Sequence, residues 1–115
     1  MESVEFNPFI DPLFDATNRS AIMVVPNEVY FNWAKCVMNE NEIACLSDPE
    51  IFLIPPFSTF EEAELFIRNF FDLFFQHELK KWNVSSAYWP VNRNYDLFNK
   101  WFEIRICRKV SDIMA

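Results

Sequence analysis

The chain has 115 residues, 17 acids against 10 bases for a net charge of −7, 18% aromatic side chains and no glycine. At ordinary usage a chain of this length carries about eight glycines. Their absence rules out a glycine-rich phosphate loop, a dinucleotide-binding turn and a strained nucleophile elbow, each of which needs glycine where backbone bends tightly or touches a ligand. The acidic balance repels phosphate backbones and anionic headgroups, which argues against nucleic acid and membrane as partners and favours a basic protein or peptide.

Residues 1–20 read as an N-terminal arm, with Phe6, Phe9, Ile10, Leu13 and Phe14 set among acids and two prolines in no single period. Residues 21–115 read as one domain, long enough to build a core without staples. Ala21-Ile22-Met23-Val24-Val25, closed by Pro26, predicts a buried strand. Asn27 then caps a helix whose stripe is Val29, Tyr30, Trp33, Ala34, Val37 and Met38, ending near Asn39. Two short apolar runs, Ile43–Leu46 and Ile51–Ile54, flank Ser47-Asp48-Pro49-Glu50 and predict a hairpin ended by Pro55-Pro56.

The strongest helix signal follows, over about 59–82. Ser58 with Glu61, and Thr59 with Glu62, have capping-box spacing; glutamates crowd the first turn and Lys80 and Lys81 the last. Phe60, Ala63, Ile67, Phe70, Phe71, Phe74 and Phe75 form its apolar face. Residues 83–93 read as a loop or a short turn of helix, and Asn94 caps a brief helix through Tyr95, Leu97, Phe98 and Trp101. Phe102 to Arg108 alternates as a strand, with Phe102, Ile104 and Ile106 inward and Glu103, Arg105 and Cys107 outward. The order strand, helix, strand, strand, helix, strand, with an insertion before the last strand, is that of a ferredoxin-like βαββαβ α+β sandwich. If 43–54 is a single strand, the sheet instead has three strands.

Cys36, Cys45 and Cys107 make no CxxC and match no zinc spacing. They predict reduced, mostly buried thiols and, with an acidic N-terminus unlike a signal peptide, a cytoplasmic protein. No apolar run is long enough to cross a bilayer. No cofactor motif is present. His77 is the only histidine, which excludes multi-histidine metal sites and leaves no predicted metal site.

Two groups of side chains stand out as candidate binding residues. Glu78 falls on the apolar stripe of the long helix, with His77 on its flank. A carboxylate among aromatics has a raised pKa unless paired, which is how a general acid is made. The plainer reading pairs Glu78 with Arg93, Arg105 or a backbone donor. Trp82, Trp89, Arg93 and Trp101 concentrate around the insertion, either as an interface hot spot or as a seal between the long helix and the last strand.

The residues IMVVP at 22–26, Phe75 to Trp82 with Glu78, Trp89-Pro90 with Arg93, and Phe98 to Phe102, together with Asp112, resemble a family of small, acidic, uncharacterised bacterial proteins over about residues 21–113. The resemblance implies a shared fold centred on Glu78, Trp82, Trp89 and Trp101, and no catalytic residues. The sequence thus predicts a non-enzymatic domain acting through protein–protein interaction, with a homodimer through a sheet edge or the N-terminal arm as one form. The alternative is a small-molecule binder or unusual hydrolase centred on Glu78, with His77 and Arg93 nearby and a pocket lined by the three tryptophans.

Overall fold

The computed structural model describes residues 13–37 and 48–114, and among these the alternating and 3.6-residue apolar patterns become two antiparallel sheets and three α-helices. The elements are β1 (Leu13–Ala16), β2 (Ser20–Pro26), α1 (Glu28–Val37), β3 (Glu50–Ile54), α2 (Phe60–Lys80), α3 (Tyr95–Trp101), β4 (Phe102–Cys107) and β5 (Ser111–Met114). The class is α+β. β2 is the centre of a three-stranded sheet ordered β3-β2-β4, antiparallel throughout.

Register puts apolar rows on one face. Ile22 stands between Phe52 and Ile106, Val24 opposite Ile104, and Pro26 opposite Phe102. The helices cover this face: Phe74 of α2 meets Phe52 at 5.0 Å, Phe75 meets Phe102 at 5.5 Å, and Tyr30 of α1 meets Phe102 at 5.0 Å. Each fully buried aromatic contributes about 1.5–3 kcal/mol. The opposite rows hold Ala21, Met23, Val25, Ile51 and Leu53 beside Glu103, Arg105 and Cys107. On that face Ile51 and Leu53 are more than half exposed.

The long helix begins where its capping signal stands. Thr59 Oγ1 accepts from the Glu62 backbone N–H at 3.2 Å, and Glu62 Oε2 accepts from the Ser58 N–H at 2.9 Å. Glycine-free turns fall to asparagine, which tolerates the left-handed region better than other side chains. Asn83, just after α2, has φ 50°, and Asn92 has φ 56°.

Several expectations are corrected. Part of the predicted arm is a strand: β1 pairs with β5 from Leu13↔Met114 to Ala16↔Ser111, and Thr17 donates from both N and Oγ1 to the Val110 carbonyl. The reason is that β2 and β4 already run antiparallel, so the chain on either side can continue the pairing. Phe60 and Phe70 are exposed rather than on the packed face. Phe70 lies about 80° from the centre of the buried stripe, and Phe60 is the first residue of the helix. Val29 is likewise exposed on α1. Cys36 is free but exposed, not buried, because it falls on the outer side of α1, whereas Cys107 is exposed on the outward row of β4 where the alternation put it. Cys45, Met38 and the predicted strand at 43–46 lie outside the described residues.

Candidate functional site

The candidate residues divide among three environments. The first is a buried aromatic node organised by Tyr30, which the sequence reading took only as one residue of a helical stripe. Tyr30 is fully buried and its ring contacts Trp82, Trp101 and Phe102. Its hydroxyl donates to the Glu78 carbonyl at 2.8 Å and accepts from the Trp82 indole N–H. Burial drives the Tyr30 hydroxyl far above the usual tyrosine range, so it remains a neutral donor. Trp82 and Trp101 are at least nine-tenths buried, Trp101 between Trp33 and Phe75. Both are core, and the space expected to be a tryptophan-lined pocket is filled by Tyr30, Phe75 and Phe102.

The second environment is an ionic cluster on the last turn of α2. The Glu78 side chain is wholly buried. Its partner is Lys81, one turn on, and not Arg93, Arg105 or a backbone donor. The Lys81 ammonium contacts Glu78 Oε2 without hydrogen-bond geometry, and Oε1 meets no donor among the described residues. The same ammonium lies 2.8 Å from Glu50 Oε1, and Glu50 Oε2 is 2.9 Å from His77 Nε2. Glu50 opens β3 and comes from a segment read as a turn, so only strand pairing could place it here.

Burial raises the Glu78 carboxyl above the usual range, and Lys81 offsets part of that rise. Burial also opposes ionisation of Glu50, yet Lys81 and His77 outweigh it and hold this carboxyl low. For Lys81, burial pulls the ammonium down while Glu50 and Glu78 hold it above the usual lysine range. The two carboxylates are therefore unequal: one is an exposed-side anion, the other a buried group that resists ionisation. Glu50, His77 and Glu78 each offer one ligand atom, all within 4.8 Å of one another.

The third environment lies about 120° away around α2, six residues back from Glu78. Arg93 clamps Asp72 with two bonds, Nε–Oδ1 at 2.7 Å and a terminal nitrogen to Oδ2 at 3.3 Å, and also donates to the Pro90 carbonyl. Gln76 Nε2 donates to Asp72 Oδ2 at 2.6 Å. The guanidinium sits 5.7 Å from the centre of the half-buried Trp89 ring. This is a lock that ties the 89–93 loop to α2, with Asp72 as the residue that sequence reasoning missed. Its signal was available only as an acid on the polar side of the helix.

The Arg93 hydrogen bonds hold the Asp72 carboxyl below the usual range despite some burial. A lowered carboxyl contributes stability above its ordinary pKa and loses it as pH falls through the folded-state value. Asp72→Asn is therefore expected to cost about 0.5–1 kcal/mol at neutral pH, discounted for its exposure, and to be near-neutral once wild-type Asp72 is protonated. Urea unfolding of both proteins at neutral and at acid pH checks the sign.

Comparison of the chain with family models, with curated proteins and with solved structures finds no match.

Proposed function

We propose that this chain is a non-enzymatic interaction domain that self-associates by pairing the free edge of β4 with β4 of a second copy. The observation that carries this reading is the edge itself. β4 pairs with β2 on one side, and among the described residues no strand pairs with the other. An unpaired edge presents a row of backbone donors and acceptors to any second strand. Charges of one sign would block such pairing. β4 carries both signs on one row, Glu103 and Arg105, each about 60% exposed and held to each other at 3.4 Å.

Antiparallel pairing across a twofold axis at Ile104 places Glu103 opposite Arg105 of the second copy twice over. The inner row then joins Ile104 to Ile104 and Phe102 to Ile106 across the axis. Such cross-strand pairs each contribute about 0.2–1 kcal/mol, and the isologous register is self-complementary, as a closed dimer requires. Two further points support an interaction domain over an enzyme. Glu78 faces Lys81 rather than a cavity, and Trp82 and Trp101 are core, which leaves only Trp89 of the tryptophan group for a basic partner.

The same reading completes the topology. We infer a ferredoxin-like sheet, because the order β3-β2-β4 with antiparallel neighbours is what that fold requires of its third, first and fourth strands. The residues that carry the bacterial-family resemblance, among them Ile22, Val24, Phe75, Leu79, Trp82, Phe98, Trp101 and Phe102, are core positions, so that likeness supports a shared fold and no activity.

Sedimentation velocity on three proteins tests the dimer. Arg105→Glu, which sets like charges opposite each other twice, is expected to weaken dimerisation about tenfold or more, and Glu103→Arg with Arg105→Glu to restore it. A monomeric wild type, or equal association by the single and double variants, overturns the proposal.

A further inference from the structure

The ionic cluster at the end of α2 has a feature that the interaction reading does not use. A carboxylate with no exposed side-chain surface is directed at two other ligand-type groups, and one of its oxygens meets no donor among the described residues. Burying such a group without full pairing is costly. What faces it is a cation from its own chain: the Lys81 ammonium stands between Glu78 and Glu50. That ammonium marks a position where positive charge is favoured from both sides.

We propose that Glu50, His77 and Glu78 form a divalent-metal site, with Lys81 as a displaceable internal cation that occupies the same position. The donor set is one imidazole nitrogen and two carboxylates, a borderline combination that suits Zn2+, Co2+, Mn2+ or Fe2+ rather than a soft thiophilic ion. Two ligands on one such ion lie roughly 3.3 Å apart, given metal–ligand distances near 2.0–2.1 Å. The three donor atoms already lie within 4.8 Å, with His77 Nε2 at 2.9 Å from Glu50 Oε2, so side-chain rotation suffices to close them.

Charge favours the exchange. Two carboxylates and a neutral imidazole balance one divalent ion, whereas the ammonium balances only one carboxylate. Displacing Lys81 is structurally easy, because it caps α2, its side chain reaches the surface, and its four-carbon stem lets the ammonium move into water. The site is invisible to spacing rules. His77 and Glu78 are adjacent on a helix, while Glu50 is 27 residues earlier and arrives through β3.

Cobalt titration of the full chain, followed by visible absorption and calorimetry, tests the proposal. Saturation at one equivalent is expected, with the absorption of nitrogen and oxygen ligands. Lys81→Met should tighten binding about tenfold or more, since the competing charge is gone. His77→Ala and Glu50→Gln, at side chains that are 50% and 35% exposed, should each weaken it about 100-fold. Failure of wild type and Lys81→Met to bind saturably overturns the proposal. So does binding that survives His77→Ala, or a sulfur-to-cobalt charge-transfer band that assigns the ion to the exposed cysteines. The dimer has no part in this result, because Glu50, His77 and Glu78 lie on β3 and α2 and not on β4.

Discussion

Phe75→Ala is expected to destabilise the fold by about 3–5 kcal/mol, the range for emptying a buried phenylalanine site. Phe75 is fully buried at the point where α2, α3 and β4 meet. Its ring lies 5.8 Å from Phe98, 5.4 Å from Trp101 and 5.5 Å from Phe102. Those neighbours are themselves held by Tyr30 and Phe71. They cannot all collapse into the space at once, so most of the cavity should persist. A domain of this size has roughly 5–15 kcal/mol in total, so this single change removes a large share. The contrast is Leu73→Ala, two residues away on the same helix and 64% exposed, which should stay within about 0.5 kcal/mol of wild type. Urea midpoints for the two variants measure the difference. Equal midpoints would mean that α2 does not pack as described.

Tyr30→Phe removes one oxygen and is expected to cost about 2–4 kcal/mol. The hydroxyl is the shared partner of two buried groups, the Trp82 indole N–H and the Glu78 carbonyl. Deleting it leaves a donor and an acceptor without partners in the dry interior, at about 1–3 kcal/mol each. The ring and its aromatic contacts remain, so shape does not account for the loss. Trp82→Phe together with Tyr30→Phe should cost less than the sum of the two single changes, because the double variant no longer strands the indole N–H. A strictly additive pair in a double-mutant cycle would show that the bond is not made.

The helical core was legible for a specific reason: its signals are local. The Thr59–Glu62 cap, the Asn94 cap on α3, which accepts from the Leu97 N–H at 2.8 Å, and the spacing of Ala63, Ile67, Phe74 and Phe75 all lie within a few residues of one another. The alternation of β4 was equally local, and its inward row is the one that packs. Exposure of Phe60, Phe70 and Val29 was not legible, because an aromatic or aliphatic side chain near the edge of a stripe is buried only if a neighbour arrives there.

The candidate site was legible in part. Glu78 could be placed on the apolar stripe, since its phase on the helix follows from residue number alone, but its burial depended on where the helix ends, and the structure alone shows it buried. Its partner could not. A carboxylate at the end of a helix has several cations within reach in sequence, and only the final turn, continued past Lys80 by the cap at Lys81, brought that ammonium to it. Arg93 went to Asp72 because the loop after Asn83 folds back on the far side of α2.

By itself the sequence determined that this is an acidic, aromatic-rich, glycine-free α+β chain with one long capped helix and an alternating strand at Phe102–Cys107. Those properties depend on composition and on contacts between near neighbours. Tertiary structure alone decided that β1 and β5 pair, that Tyr30 is the hub of the core, and that Glu50 meets His77, Glu78 and Lys81. Each of these joins residues from elements far apart in the chain. Such meetings are set by strand order and helix packing, which no local pattern encodes.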